Sequence, residues 1–292
     1  MFLNEYLRKE YNEKVYKLSF DAGATCPTRD GKICFGGCAF CSDEGSGDFA
    51  LKITPDTVDE AIEAARSQVG KKADCRKYII YFQSHTNTYF DDCFTQDYFE
   101  SILEKAVQNP LTAVIDIGTR ADCIDEKTIQ MLSEINEIKP VWVEIGLQTI
   151  HDSTRERLDC GFTLDDFERA YNLLQEARIK TIIHMIVGLP QENEAMILET
   201  ADYISRKKPF GIKIQLLHVL RNTKLADIYK DERFYTLSPE EYTDMVAKIV
   251  KMMPEEVVIH RMTGDGPKDK LIAPMWSTDK KRVLNMINAK LM

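Results

Sequence analysis

Four cysteines near the start of the chain are the residues best suited to chemistry. They lie within sixteen residues, in the Gly-rich stretch CPTRDGKICFGGCAFC, and are Cys26, Cys34, Cys38 and Cys41. Thiolates at this density hold either an iron–sulfur cluster or zinc. The spacing Cys34-x3-Cys38-x2-Cys41 is typical of a [4Fe–4S] cluster with three protein ligands. Its fourth iron is then open, so the segment predicts a site at which a cofactor binds and reacts.

Composition and charge narrow the class of protein. The chain has 292 residues, of which 44% are hydrophobic and 29% charged, as in ordinary globular proteins. Its N-terminus is polar and no apolar run is long enough to span a membrane, so we expect a cytoplasmic protein with no membrane partner. In that reducing compartment the eight cysteines are thiols or metal ligands. The net charge of −9 gives no global attraction to nucleic acid, but it does not exclude a local basic patch.

Apolar runs alternate with helix-like segments along the chain. The runs that read as strands lie at 15–20, 77–83, 113–117, 141–147, 180–187 and 211–219. Helix-like segments lie at 54–70, where Thr54 caps and Pro55 begins the helix, and at 96–108, 125–136, 164–177 and 192–206. The strands are almost continuously apolar, as expected when both faces of a parallel sheet are buried. Six strand–helix units are too few for a complete eight-unit barrel, so the pattern favours a partial barrel or an open sheet.

The C-terminal part continues without a linker or low-complexity segment. A capping box at 238–241 opens a helix, a short strand follows at 257–260, and a last helix is expected at 279–291. We therefore expect one domain with two parts. Residues 1–235 form the core, including the cysteine loop at 26–41, and residues 236–292 form an extension that closes the barrel.

The cysteine loop and the strand–helix units together resemble the radical S-adenosylmethionine (SAM) superfamily. More specifically, the motifs resemble those of the bacterial YhcC/YtqA-type (MnmL-like) family, which is related to the catalytic subunit of Elongator. The segments that carry it are CPTRDG, GGCAFCS, YFQSHTNTY, IGTRADC, VWVEIGLQT, HMIVGLPQE, KIQLLHVLRNT and IHRMTGDGPKDKLIAPMW. The resemblance implies an α/β fold, a partial (βα)6 TIM-like barrel of the radical SAM type. It also implies an enzyme that cleaves SAM reductively at a [4Fe–4S] cluster to form a 5′-deoxyadenosyl radical.

The resemblance changes the choice of cluster ligands. The family's triad begins at the cysteine before the first proline, which matches Cys26, Cys38 and Cys41, whereas spacing alone selects Cys34 in place of Cys26. We expect Cys26, Cys38 and Cys41 to hold the metal cluster, with Cys34 as the alternative third ligand. Structural zinc is the alternative for the whole loop. The remaining cysteines, expected to be ordinary thiols, are Cys75, Cys93, Cys123 and Cys160.

The resemblance also implies a SAM pocket at the C-terminal ends of the strands, where active sites of such barrels assemble. The cofactor-binding candidates are Gln83, Ser84 and Thr86 after the second strand, Glu144 and Gln148 on the fourth, Gly188 after the fifth, and His218 and Leu220 after the sixth. Glu144 has a second interpretation, a salt bridge inside the barrel. Relatives carry an arginine, a SAM-carboxylate clamp, where this chain has Cys160, so Arg155 or Arg157 is the expected substitute.

The substrate is implied by the family rather than by composition. The resemblance implies tRNA, with conversion of a carboxymethylaminomethyl group on the wobble uridine to aminomethyl, and an electron donor such as flavodoxin or ferredoxin. A basic tail is compatible with an RNA stem, although such a run is more often a solvated helix face; it consists of Lys268, Lys270, Lys280, Lys281, Arg282 and Lys290. A small-molecule or protein substrate, and a non-catalytic iron–sulfur or zinc protein, remain as alternatives.

Overall fold

A parallel sheet organises the protein, whose computed structural model describes residues 1–45, 47–70, 75–232, 234–264 and 266–292. The strands are β1 (Val15–Asp21), β2 (Leu51–Lys52), β3 (Lys77–Phe82), β4 (Thr112–Arg120), β5 (Val141–Gln148), β6 (Lys180–Val187), β7 (Gly211–Leu216), β8 (Val219–Leu220), β9 (Val258–Arg261) and β10 (Leu271–Ala273). Eight of them form the sheet, in the order β2-β1-β3-β4-β5-β6-β7-β9. The sheet curls into a half barrel, which confirms the predicted α/β partial-barrel fold class.

Helices cover the outside of the half barrel and its N-terminal end. They are α1 (Leu3–Tyr11), α2 (Val58–Val69), α3 (Gln96–Gln108), α4 (Glu126–Ile138), α5 (Asp152–Arg157), α6 (Leu164–Glu176), α7 (Glu194–Lys207), α8 (Lys224–Glu232), α9 (Pro239–Met252) and α10 (Lys280–Leu291). Outward-facing strand residues such as Phe20, Phe82 and Ile117 are buried against this layer. Burial of both sheet faces explains the continuous apolar runs in the sequence.

Several elements differ from the sequence-based expectation. Helix α2 begins at Val58 with Thr57 as its N-cap, not at Pro55, because the Thr57 N–H donates to the Thr54 carbonyl (3.0 Å) and encloses Pro55 in a turn. The sixth expected strand is divided, since β7 ends at Leu216 and β8 pairs separately with β10. Helices α1 and α8 were not predicted, whereas the helix expected to begin at His151 is α5, with His151 as its N-cap.

The N-terminal end of the barrel is plugged by apolar side chains. Leu7 of α1 is buried in one cluster with Ile79, Val114 and Trp142 from the strands. The Tyr6 ring packs edge-on against Trp142, with the ring centroids 6.1 Å apart. Helix α1 therefore closes this end, and the polar interior of the barrel opens toward the C-terminal ends of the strands.

The C-terminal part shares the sheet of the core. Strand β9 pairs in parallel with β7, with Gly211 opposite Val258. Helix α10 packs on α9, and the Trp276 ring lies 5.8 Å from the Tyr242 ring. Strand β9, which follows the division proposed at 235–236, thus extends the core sheet. The two-part organisation itself remains a prediction.

Candidate active site

A cavity opens at the C-terminal ends of the strands and collects most of the predicted site residues. Its lining includes the cysteines of the expected cluster and expected SAM-binding residues from three strands; these are Cys26, Cys38, Cys41, Gln83, Thr86, Glu144, Gln148, His218 and Leu220. Two candidates lie outside the described lining. Ser84 is buried next to Gly47, and Gly188 packs beneath Leu237. The ligand and cofactor assignments of all these residues remain predictions.

The cysteine loop takes its shape from tight turns that only glycine accommodates. Gly37 has φ +81° and donates its N–H to the Thr28 carbonyl at 2.8 Å. A Cβ at Gly37 would lie 3.1 Å from the Arg29 guanidinium, which itself donates to the Ser42 carbonyl. The Ala39 N–H donates to the Leu158 carbonyl at 2.8 Å and ties the loop to the end of α5. These bonds hold the loop over the ends of the strands.

The thiols of the expected triad share polar neighbours inside the cavity. The Cys26 sulfur lies 2.9 Å from Thr86 Oγ1 and 4.0 Å from His85 Nδ1, and burial raises the pKa of this thiol. Arg120 Nη1 donates to Cys38 Sγ at 3.6 Å. Hydrogen bonds from the Cys160 and Cys41 thiols, aided by the positive charge of Arg120, hold the pKa of Cys38 well below its usual range. At Cys38 this environment favours a thiolate, the form that binds metal, whereas the hydrogen bond to Cys38, together with burial, raises the pKa of Cys41.

Cys34 is placed differently from the other three loop cysteines. Its sulfur donates to the Thr28 carbonyl at 3.4 Å and it lies outside the described lining of the cavity. Among the described residues, no three His, Cys, Asp or Glu side chains converge as ligands of one metal ion. Ligands of a [4Fe–4S] cluster each bind a different iron and need not converge on one point. The donor set Cys26, Cys38 and Cys41 thus fits a cluster with an open iron.

Gln148 presents an acceptor suited to a bound cofactor. A register shift between Gly146 and Gln148 breaks the β5–β6 pairing, and Gln148 has φ +65°. A bulge of this kind turns a side chain toward a site. Gln148 Oε1 is buried, and within the described part of the chain it has no hydrogen-bond partner. Buried acceptors are normally satisfied, so this oxygen fits a ligand donor such as an amino or hydroxyl group.

The expected arginine substitutes lie outside the described lining of the cavity. Arg155 is buried, donates to the Thr149 carbonyl at 2.8 Å and pairs with Asp152. Neither Arg155 nor Arg157 belongs to the described cavity lining, whereas Arg120 does. Cys160, which stands where relatives carry the clamp arginine, lines the cavity beside Cys38.

Charged side chains on five strands form a charged floor beneath the cavity, and three of them, Glu144, His184 and Lys213, belong to its described lining. This charged floor consists of Lys17, Asp116, Glu144, His184 and Lys213. Glu144 accepts from Lys17 at 2.8 Å, from His184 Nε2 at 2.9 Å and from Lys213. Burial would raise the pKa of Glu144, but Lys17 and Lys213 hold it well below its usual range. Glu144 therefore forms the predicted barrel salt bridge and also lines the cavity.

The sequence interpretation missed several residues of the site. These are Tyr81, which lines the cavity from β3, and Lys213 and Gln215, which line it from β7. A signal was present in the sequence, because the polar residues Lys213 and Gln215 interrupt the apolar segment GIKIQLL. A charge within a buried strand needs a partner, and that requirement points to the barrel interior.

Comparison with known proteins identifies the family. A model described as the radical SAM superfamily matches residues 29–204, and one described as the radical SAM C-terminal domain matches residues 209–292. The uncharacterized protein YtqA of Bacillus subtilis is 38% identical over 289 residues, which cover 99% of this chain and 88% of that protein. The tRNA uridine(34) acetyltransferase of Methanocaldococcus jannaschii is 27% identical over 163 residues, 53% of this chain and 29% of that protein.

The fold has a counterpart among solved structures. The archaeal Methanocaldococcus infernus Elp3 with an N-terminal deletion aligns with a TM-score of 0.67 at 17% identity, over 94% of this chain and 63% of that chain. No helix in the described ranges is both long and apolar enough to cross a membrane. With family models over most of its length, this chain belongs to the radical SAM superfamily and is an enzyme that uses a [4Fe–4S] cluster and SAM.

Proposed function

We propose that the enzyme acts on the wobble uridine of tRNA and converts its carboxymethylaminomethyl side chain to aminomethyl. The observation that carries this proposal is the similarity to the tRNA uridine(34) acetyltransferase, whose name assigns that protein to the wobble position. The resemblance of the chain's motifs to the YhcC/YtqA-type family supports the same substrate. A small-molecule or protein substrate is the alternative.

In this proposal, the cavity positions the cofactors over the charged floor. Cys26, Cys38 and Cys41 hold the cluster, and the open amide oxygen of Gln148 receives a donor group of SAM. When bound, the cluster and SAM supply a 5′-deoxyadenosyl radical that removes a hydrogen atom from an unactivated C–H bond. The plugged N-terminal end of the barrel limits water around such a radical. A small one-electron donor such as flavodoxin or ferredoxin supplies the reducing equivalent.

The proposed conversion of the substrate balances in atoms and electrons. Removal of a hydrogen atom from the carbon between the amine nitrogen and the carboxylate leaves a carbon radical. Loss of one electron then gives an iminium, and addition of water releases glyoxylate and the aminomethyl product. The electron released by the substrate offsets the one consumed in cofactor cleavage, so each turnover needs SAM and water.

The basic tail supports local contacts with RNA phosphates. Lys268, Lys281 and Arg282 are exposed, whereas Lys270 pairs with Asp48 at 2.9 Å and Lys290 pairs with Asp244. Lys268 follows Pro267, which lines the cavity, so this part of the tail lies at the cavity rim. With a net charge of −9, the protein has to bind RNA through a few such contacts.

The proposal is tested by mass spectrometry of tRNA nucleosides from cells that lack this gene and any parallel pathway. We expect carboxymethylaminomethyluridine to accumulate and aminomethyl derivatives to disappear. The wild-type gene should restore them, and a Cys38→Ala gene should not. An unchanged wobble uridine would contradict the proposal and favour a small-molecule or protein substrate.

A further inference from the structure

The two lysines of the charged floor differ in their access to the cavity. Both donate to Glu144, and Lys17 also pairs with Asp116. Of the two, only Lys213 belongs to the described lining of the cavity. A ligand that enters from the strand ends therefore meets the Lys213 ammonium and not that of Lys17.

Lys213 shares the ionised Glu144 carboxylate with Lys17 and His184, so its positive charge is only partly balanced. Burial, together with the positive charges of Lys17 and Arg261, lowers the pKa of Lys213 to about 7 although Glu144 opposes the shift. Burial, together with the negative charge of Glu144, raises the pKa of Asp116 to about 7, so this carboxyl is only partly ionised near neutral pH. A buried cation with too little opposing charge is costly. An anion entering the cavity would offset that cost.

The depth of the floor indicates which molecule supplies the anion. Tyr81 lies opposite Asp116, which is four residues before Arg120 on β4, a separation of roughly 13 Å along a strand. The Lys213 side chain reaches the same depth, because its Nζ lies 3.3 Å from Tyr81 Oη. Arg120 donates a hydrogen bond to Cys38, so it marks the level of the cysteines in the cavity. The open iron that chelates SAM lies at the cysteine level, so an anion at the floor belongs to the substrate.

We propose that Lys213 and the adjacent Tyr81 hydroxyl form a subsite that binds the carboxylate of the substrate. The Lys213 Nζ–Tyr81 Oη distance is 3.3 Å, so both groups can donate to one carboxylate. This inference rests on the proposed function, because the carboxymethylaminomethyl group ends in a carboxylate and the aminomethyl product does not. The subsite distinguishes substrate from product and makes Lys213 a specificity determinant.

The test compares Lys213→Met with Lys17→Met, a matched variant that removes the other lysine of the same ion network. Fluorescence anisotropy measures binding of an anticodon stem–loop with carboxymethylaminomethyluridine or aminomethyluridine at the wobble position. We expect wild-type enzyme to prefer the carboxylate form by about tenfold, the scale of a charged hydrogen bond. Lys213→Met should abolish the preference, Lys17→Met should keep it, and Lys213→Arg should restore most of it.

Tyr81→Phe keeps the test decisive if Lys213→Met does not fold, since it removes only a hydroxyl and should reduce the preference several-fold. Wild-type preference in both Lys213→Met and Tyr81→Phe, or equal loss in Lys17→Met, would overturn the subsite. A different result would contradict the proposed function: wild-type enzyme would neither convert carboxymethylaminomethyluridine nor distinguish the two stem–loops. If wild-type enzyme converts the substrate and the variants keep the full preference, the subsite is wrong and the proposed function stands.

Discussion

The cluster loop and the charged floor face one cavity but are held in place in different ways. The loop at 26–41 is connected by bonds between turns, such as the Ile33 N–H to the Pro27 carbonyl at 2.8 Å, and its four cysteines are half-buried. The floor consists of side chains on strands whose register is fixed, with His184 opposite Lys213. The sheet therefore positions the floor, whereas glycines and local turns position the loop.

This difference separates the consequences of changing each region. A thiol removed from the loop eliminates a metal ligand but leaves the sheet intact. A charge removed from the floor leaves its partners buried and uncompensated, so the fold itself loses stability. The loop should thus govern cofactor content and the floor should govern stability and substrate choice.

The largest expected effect is all-or-none loss of the cluster. Cys26→Ala, Cys38→Ala and Cys41→Ala should each lose it, because three thiolates hold it, while Cys34→Ala should retain it. Iron analysis should give about four irons per chain, with broad absorbance near 400 nm, for wild type and Cys34→Ala. A cluster that survives in Cys26→Ala and is lost in Cys34→Ala would reverse the ligand assignment.

The next largest effect concerns the ion pairs of the floor. Glu144→Gln leaves Lys17 and Lys213 without their shared carboxylate, which should lower the free energy of unfolding by about 3–5 kcal/mol in urea denaturation. The control is Glu63→Gln, which breaks an exposed pair with Arg66 and should cost under about 1 kcal/mol. Equal losses of unfolding free energy in the two variants would contradict the claim that the ion pairs of the floor stabilise the fold more than an exposed pair does.

Titration of Asp116 gives a smaller effect with a defined sign. The pKa of Asp116 is raised from 3.8 to about 7 by burial, so the native state binds more protons than the unfolded state between those pH values. Its contribution to stability is present at pH 4 and is lost as the pH rises toward 7. Relative to Asp116→Asn, the wild-type unfolding free energy should fall over this range, by at most about 1.4 kcal/mol per pH unit. A pH-independent difference would contradict the raised pKa.

The same contrast explains what the sequence could predict. The six apolar runs were recognisable as strands because burial on both faces leaves a continuous signal. Strand β2 has only two residues and gave no signal, and β9 was predicted as a short strand at 257–260 but not as a member of the main sheet. Helix α5, six residues long and rich in charge, carried no periodic apolar pattern.

Site residues could be predicted where residue type and local spacing define them, but not where contacts between distant strands bring them together. The cysteines were found from residue type and spacing, and the family resemblance selected Cys26. The partners of Glu144 could not be read from sequence, since Lys17 and Lys213 lie 127 and 69 residues away and meet only through the sheet register. The role of Cys160 beside Cys38 likewise depends on where α5 meets the loop.

The smallest expected effect lies outside both regions, on the basic tail. Lys280→Glu with Lys281→Glu should weaken tRNA binding several-fold, because two exposed cations at the start of α10 become anions. Arg8→Glu with Lys9→Glu, on α1 at the closed end of the barrel, is the matched charge reversal and should change binding little. The wild-type salt dependence should correspond to roughly two to four ion equivalents. Equal weakening by both pairs would show that only net charge matters.

The most direct test of the whole account is a single anaerobic reaction of the reconstituted enzyme with SAM, a strong reductant and tRNA carrying carboxymethylaminomethyluridine. Mass spectrometry would quantify 5′-deoxyadenosine and aminomethyluridine together. We predict that tRNA accelerates 5′-deoxyadenosine release and that aminomethyluridine forms in about equal amount after the uncoupled background is subtracted. Release of 5′-deoxyadenosine at the same slow rate with and without tRNA, with the uridine unchanged, would contradict it.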